Sequence, residues 1–176
     1  MAAQRAAEIG KGGRSGMVRG KPEPIGEAIA SSHFRVPDLE TLRPNGAGSW
    51  LLMVTFGGVG YVRQPGTVLR PEPSDAVLLA PDAYSHYGTV LPQDGGVGMW
   101  DFHWVHFRMR ADWRHWFRVP EVGRGLFHVR VSAGRLDRIG QAFERLHRDL
   151  VSGDEFGRRL ASSSLEEILL LLAREA

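Results

Sequence analysis

The residues of this chain best able to do chemistry crowd between positions 86 and 116, where His86, His103 and His106 stand beside Trp100, Trp104, Trp113 and Trp116. Imidazoles raise a metal centre first. A metal-dependent β-barrel enzyme needs several histidines and a carboxylate converging on one ion, typically with a His-x-His pair on one strand face. His86 stands alone, and the odd spacing of His103 and His106 sends them to opposite faces of an extended strand. No metal, no cofactor and no catalytic set is therefore expected, and three of these imidazoles gathered round one point would reverse that expectation. A serine hydrolase lacks its Gly-x-Ser-x-Gly elbow, since Ser162 to Ser164 fall in helical sequence. Gly57-Gly58-Val59-Gly60 precedes a strand rather than a helix, which predicts a hairpin and not a phosphate loop. The chain has no cysteine, so disulfides, thiolate zinc sites and thiol nucleophiles are excluded, in keeping with a reducing compartment.

The aromatic residues point elsewhere. In the extended stretch Met99 to Met109, Trp100, Phe102 and Trp104 fall on one face by two-residue alternation. The elements that must position them are mainly β. From Trp50 to Val131 strand and turn alternate: Ser49 to Phe56, Val59 to Arg63 and Thr67 to Arg70 make a meander, and Asp75 marks a turn before the apolar run Ala76 to Ala80. Short strands at this spacing favour a barrel or sandwich. Residues 31–40 look irregular, with regular structure beginning near Trp50.

After Gly134 the period changes. Leu136, Ile139, Phe143, Leu146 and Leu150 form a helical stripe, Gly153 can stop that helix, and Asp154 can cap a second one running on to Leu172. So short a connection predicts two antiparallel helices. Ser164-Leu165-Glu166-Glu167 resembles a capping box, but a continuous second helix is preferred. Its leucines surround the helix axis, and an uncovered apolar surface suggests a second copy of the chain as cover. Ser163, Leu165, Ile168, Leu169 and Leu172 are the candidate dimer-interface residues.

Length and charge set the outer limits. A chain of 176 residues suits one folded domain with attachments. Its longest apolar run, Ile168 to Ala173, is too short to span a bilayer and the N-terminus lacks a secretory apolar segment, so a cytoplasmic location is expected. Arg5, Lys11, Arg14, Arg19 and Lys21 face only Glu8. That basic end is either a solvated tail or a contact for nucleic-acid phosphates.

Three stretches together resemble the N-terminal domain of AraC-family transcription regulators. They are Leu42-Arg43-Pro44-Asn45-Gly46 followed by Trp50 to Thr55 and Gly58-Val59-Gly60; Ser74-Asp75 with Ala76 to Pro81 and then His86-Tyr87-Gly88; and Trp100-Asp101-Phe102-His103-Trp104-Val105-His106-Phe107-Arg108 continuing to Trp116 and Pro120. The third is the most specific. The resemblance implies a cupin-like β-barrel (jelly roll) at 42–131 that binds a small-molecule effector, a two-helix dimerisation segment at 132–176, and an N-terminal arm and lead-in at 1–41 that folds over the ligand, with residues around Glu23 and Pro24 closing the pocket. It also implies a homodimer that meets DNA only through a helix-turn-helix domain following the last residue here.

On that resemblance Arg43 matches a sugar-binding arginine, able to present planar donors to vicinal hydroxyls or to a carboxylate. Trp104 matches a sugar-stacking tryptophan and Tyr87 a pocket tyrosine. Phe102 departs from the pattern, standing where the sugar-binding member has histidine. A phenyl ring cannot hydrogen-bond a hydroxyl, so the effector is expected to be less polar, differently shaped, or contacted by His103 or His86 instead. Without the resemblance, Trp104 reads rather as barrel core and Arg43 rather as a surface residue, and Tyr87 can be a rim packer. Two further readings stay open: a metal-dependent cupin enzyme, and a ligand-free interaction module whose barrel is plugged by its own aromatics.

Overall fold

The computed structural model describes residues 29–93 and 95–176. The basic end and the residues around Glu23 and Pro24 lie outside the described residues. Eight strands come first: β1 (Ala30–Val36), β2 (Glu40–Arg43), β3 (Trp50–Gly58), β4 (Gly60–Gln64), β5 (Thr67–Leu69), β6 (Asp75–Leu79), β7 (Ser85–Thr89) and β8 (Trp100–Phe107). A short helix α1 (Ala111–Arg114), a hairpin of β9 (Glu121–Gly123) and β10 (Leu126–Arg130), and the helices α2 (Ala133–Ser152) and α3 (Glu155–Ala173) complete the fold.

The strands form two antiparallel sheets, ordered β1-β8-β3-β6-β10-β9 and β2-β7-β4-β5. From β1 to β8 the chain passes back and forth between the two sheets, with β4 and β5 the only successive strands in one sheet, and the β9–β10 hairpin extends one edge of the larger sheet. The protein is thus a mainly β, cupin-like barrel followed by two antiparallel helices.

Two details differ from the sequence reading. Residues 31–40 are not irregular: β1 pairs with β8 from Ala30–His106 to Val36–Trp100. The glycine-rich segment 57–60 is not a hairpin, and β3 to β5 are not a meander, because β3 and β4 belong to different sheets. Gly58 makes that corner at φ 67°, and a Cβ there would approach the Met99 carbonyl oxygen to 1.9 Å. Only glycine fits both the dihedral and the contact.

Strand alternation gives the larger sheet two apolar faces. Leu51, Met53, Val77, Leu79, Trp100, Phe102 and Leu126 point into the barrel. Leu52, Val54, Ala76, Leu78, Val105, Phe107 and Val129 point outward and are covered by α2 and α3, whose Ile139, Phe143, Leu146, Leu165, Ile168 and Leu169 complete a second core. One sheet therefore serves two hydrophobic layers.

Gly153 ends α2 in the left-handed conformation (φ 69°), and the Asp154 carboxylate accepts from the Gly157 N–H at 2.6 Å. The helix α3 then runs unbroken through Ser164. The helices are antiparallel, since Ser132 Oγ and Arg135 at the start of α2 reach Glu175 beyond the end of α3 at 2.6 and 2.7 Å, and Glu167 lies between Arg138 and Arg145.

The leucine-rich helix finds its cover within the chain. Leu165, Ile168, Leu169 and Leu172 are 0–1% exposed, buried against the sheet and α2, so they cannot present a dimer face. Ser163 is exposed, and its hydroxyl donates to the Arg159 carbonyl. What α3 leaves outward is a different stripe, Phe156, Leu160 and Leu170, 76%, 55% and 45% exposed. Among the described residues, no helix is long and apolar enough to cross a membrane.

Candidate functional site

Between the two sheets lies a cavity of about 190 Å³ lined by Phe34, Leu39, Thr41, Arg43, Leu51, Met53, Tyr87, Phe102, Trp104 and His106. At about 30 Å³ per water this is room for roughly six waters, hence for a small ligand. Its residues arrive by strand alternation: Thr41 and Arg43 from β2, Leu51 and Met53 from β3, and Phe102, Trp104 and His106 from β8. Behind Phe102 the barrel is filled, because Trp100 stacks on it at 4.0 Å and donates from Nε1 to Thr55 Oγ1 at 3.1 Å. The aromatics plug part of the interior and leave the rest open.

Trp104 is held edge-on by Phe34 (5.6 Å) and His106 (5.5 Å). Its indole Nε1 and the Nε of Arg43 are both buried without a hydrogen-bond partner. Two orphaned donors in the wall of one cavity are unusual, since buried polar groups nearly always find partners. His106 is neutral: burial, and then the positive charge of Arg43, lower its pKa to about 4. Its Nδ1 lies 2.9 Å from Ser49 Oγ, fixing the ring.

Among the described residues no carboxylate lines the cavity, and none lies within ion-pair distance of Arg43. The nearest acid in sequence, Glu40, pairs instead with His86. The interior is therefore cationic and apolar together. It can accept hydrogen-bond acceptors from a ligand and shield a short apolar body.

Arg43, Tyr87, Phe102 and Trp104 thus meet in one place, whereas His86 and His103 do not join them. His86 Nε2 lies 2.9 Å from Glu40 Oε1 and 3.3 Å from the Tyr61 hydroxyl, and the Tyr61 pKa is raised by its burial and by Glu40. His103 faces the helices, at an odd position of β8. Its ring stacks between His33 at 4.3 Å and Phe143 at 4.9 Å, with His147 at 5.2 Å. Burial chiefly, then the neighbouring His33 and His147, lower its pKa to about 3.

Three imidazoles do gather here, but His33 and His147 lie within 15° and 24° of parallel to His103. Stacked rings present faces to one another, not lone pairs to a common ion. Among the described residues no group of three His, Asp or Glu is placed to hold a metal. Ser31 joins this column to the barrel wall, donating to the Trp104 carbonyl at 2.6 Å and meeting His147 Nε2 at 2.8 Å.

Sequence reasoning missed His106, Phe34 and Thr41 as cavity residues. His106 was within reach, since Phe102, Trp104 and His106 share one parity on β8. Phe34 and Val36 alternate with His33 and Arg35, but the preceding serines hide so short a pattern. A larger recess of about 550 Å³, lined by Met109, Arg110, Trp113, Leu150 and Arg158 among others, opens at the far end of the helices and borders Ile29, the first described residue. It shares no residue with the interior cavity, where the residues singled out from the sequence meet.

No protein-family model matches the chain. Over 128 residues it is 27% identical to the arabinose operon regulatory protein of Salmonella typhimurium and to that of Escherichia coli, 73% of this chain against 44% and 42% of theirs. The chain thus spans less than half the length of these curated relatives. Among solved structures it is similar to ToxT from Vibrio cholerae (TM-score 0.48, 7% identity, 65% of this chain and 47% of that one). It is also similar to a cupin 2 conserved barrel domain protein from Salinispora arenicola (TM-score 0.37, 18% identity, 52% and 72%).

Proposed function

We propose that this chain, a relative of the arabinose operon regulatory proteins, is the effector-sensing part of an AraC-type transcription regulator. The observation that carries this reading is the interior cavity with two unpartnered buried donors, Arg43 Nε and Trp104 Nε1. A packed barrel that served only as a spacer gains nothing from such groups, each of which costs about 1–3 kcal/mol if left unsatisfied. A ligand supplies their partners. The protein performs no chemistry on that ligand: binding shifts a conformational population, and DNA is contacted by a portion of such a regulator outside the length matched here.

Trp104 supplies the readout. Titration of intrinsic fluorescence with pentoses, hexoses and small organic acids should change the tryptophan signal for at least one compound, and Trp104→Phe should abolish that change while the fold persists. Silence across the panel, with Trp104→Phe altering stability alone, would favour the ligand-free interaction module.

Self-association belongs to the same reading. The outward stripe of α3, Phe156, Leu160 and Leu170 with Ser163 beside it, is the surface available to a second copy. Leu160→Glu should lower the sedimentation-derived mass toward that of one chain with little change in melting temperature. An unchanged mass would remove this stripe as the dimer surface.

A further inference from the structure

We infer that the effector is a small organic anion, a carboxylate whose oxygens sit on the Arg43 guanidinium and whose short apolar body lies between Phe34, Phe102 and Trp104. This rests on the effector-site reading above and adds the charge and class of the ligand.

Four observations converge on it. Arg43 brings a permanent positive charge into the cavity wall, and its Nε is buried with no partner. Arg43 is half-buried, and a charge held partly out of water is costly unless a counter-charge accompanies it, yet among the described residues no Asp or Glu lines the cavity. The alternation of β2 explains why: Thr41 and Arg43 line the interior, while Glu40 lies at the opposite parity and is paired with His86. The remaining walls carry few groups for a polyhydroxylated ligand. Phe34, Leu39, Leu51, Met53 and Phe102 are apolar, and the polar contributions are confined to Thr41, Tyr87, Trp104 and His106 beside the arginine.

A sugar of five or six carbons carries a hydroxyl on nearly every carbon and would leave several facing hydrocarbon, a penalty for each. A carboxylate places its polar atoms at one end. The planar guanidinium fork matches that end in two parallel N–H···O bonds. The cavity of about 190 Å³ limits the body to something near the size of a single six-membered ring.

The test uses matched pairs that differ in charge and hardly in shape: benzoate against benzamide, and L-arabinonate against L-arabinose, each followed by tryptophan fluorescence and by thermal shift. The expected result is saturable binding of a carboxylate at least 30-fold tighter than its neutral counterpart. Arg43→Met should weaken that carboxylate about 100-fold, and Arg43→Lys about 10-fold, while neither lowers the melting temperature of the ligand-free protein. If benzamide or arabinose binds as tightly as its acid, or if Arg43→Met leaves carboxylate affinity intact, the charge assignment is overturned while the effector site stands. If no compound of either kind binds, both the assignment and the effector reading fall.

Discussion

Trp100→Ala is expected to cost about 3–5 kcal/mol of folding stability. The side chain is fully buried, stacks on Phe102 at 4.0 Å, and donates to the Thr55 hydroxyl at 3.1 Å. The chain has also been shaped around it: a Cβ on Gly60 would fall 2.3 Å from the indole ring, so the β4 backbone sits directly on the aromatic face. Truncation removes the contact area, orphans Thr55 and leaves a void that the neighbouring backbone cannot readily fill. Urea denaturation should show a markedly lower midpoint with an unchanged slope. Phe102, freed on one face, is then able to tilt away from the interior cavity, so the affinity of the proposed effector should change as well. A midpoint equal to that of the wild-type chain would mean that the barrel interior is not packed in this way.

Acid should weaken the protein through its buried histidines. The pKa of His103 is lowered to about 3 and that of His106 to about 4, in both cases mainly by burial, and His147 is lowered too. An unfolded chain takes up a proton at each of these rings near pH 6.5, whereas the folded chain refuses it until far lower pH. Unfolding therefore binds protons between about pH 6.5 and the folded values. Stability is fully present above that window and falls as pH descends through it.

At about 1.4 kcal/mol per pH unit for each ring, His103 and His106 together remove about 4 kcal/mol between pH 7 and pH 5. Asp101 works against the effect at His103 and Glu144 at His147, but burial dominates both. Denaturation midpoints at pH 7, 6 and 5 test the prediction, and His103→Phe should remove about half of the decline. A flat profile over this range would mean that the folded protein accepts these protons.

The parts of the fold legible in the sequence were those set by local periodicity. The stripe Leu136 to Leu150, the stop at Gly153 and the cap at Asp154 lie where the pattern placed them, because a helix carries its period within its own residues. The strand around Trp104 was legible for the same reason. The path of β3 into β4 was not, since Gly57-Gly58 suits a hairpin and a corner equally and only the partner strands decide.

The long-range cover of α3 was equally hidden. Leu165 to Leu172 announce an apolar helix but not what covers it, and the outward face of the larger sheet proved sufficient. At the cavity, residue types pointed to Arg43 and Trp104 through resemblance alone, while the lack of a counter-charge among the described residues appears only when the lining residues are seen together.

The larger sheet is also a partition one strand thick. On β8 the cavity-facing Trp104 and the helix-facing His103 are adjacent residues, and Ser31 grips the Trp104 carbonyl with the same hydroxyl that meets His147 on α2. A ligand that displaces the main chain at Trp104 by a few tenths of an ångström must therefore either stretch that grip or drag α2 along. Barrel and helices are geared directly, with Ser31 as a polar tooth set beside the apolar layer that joins them.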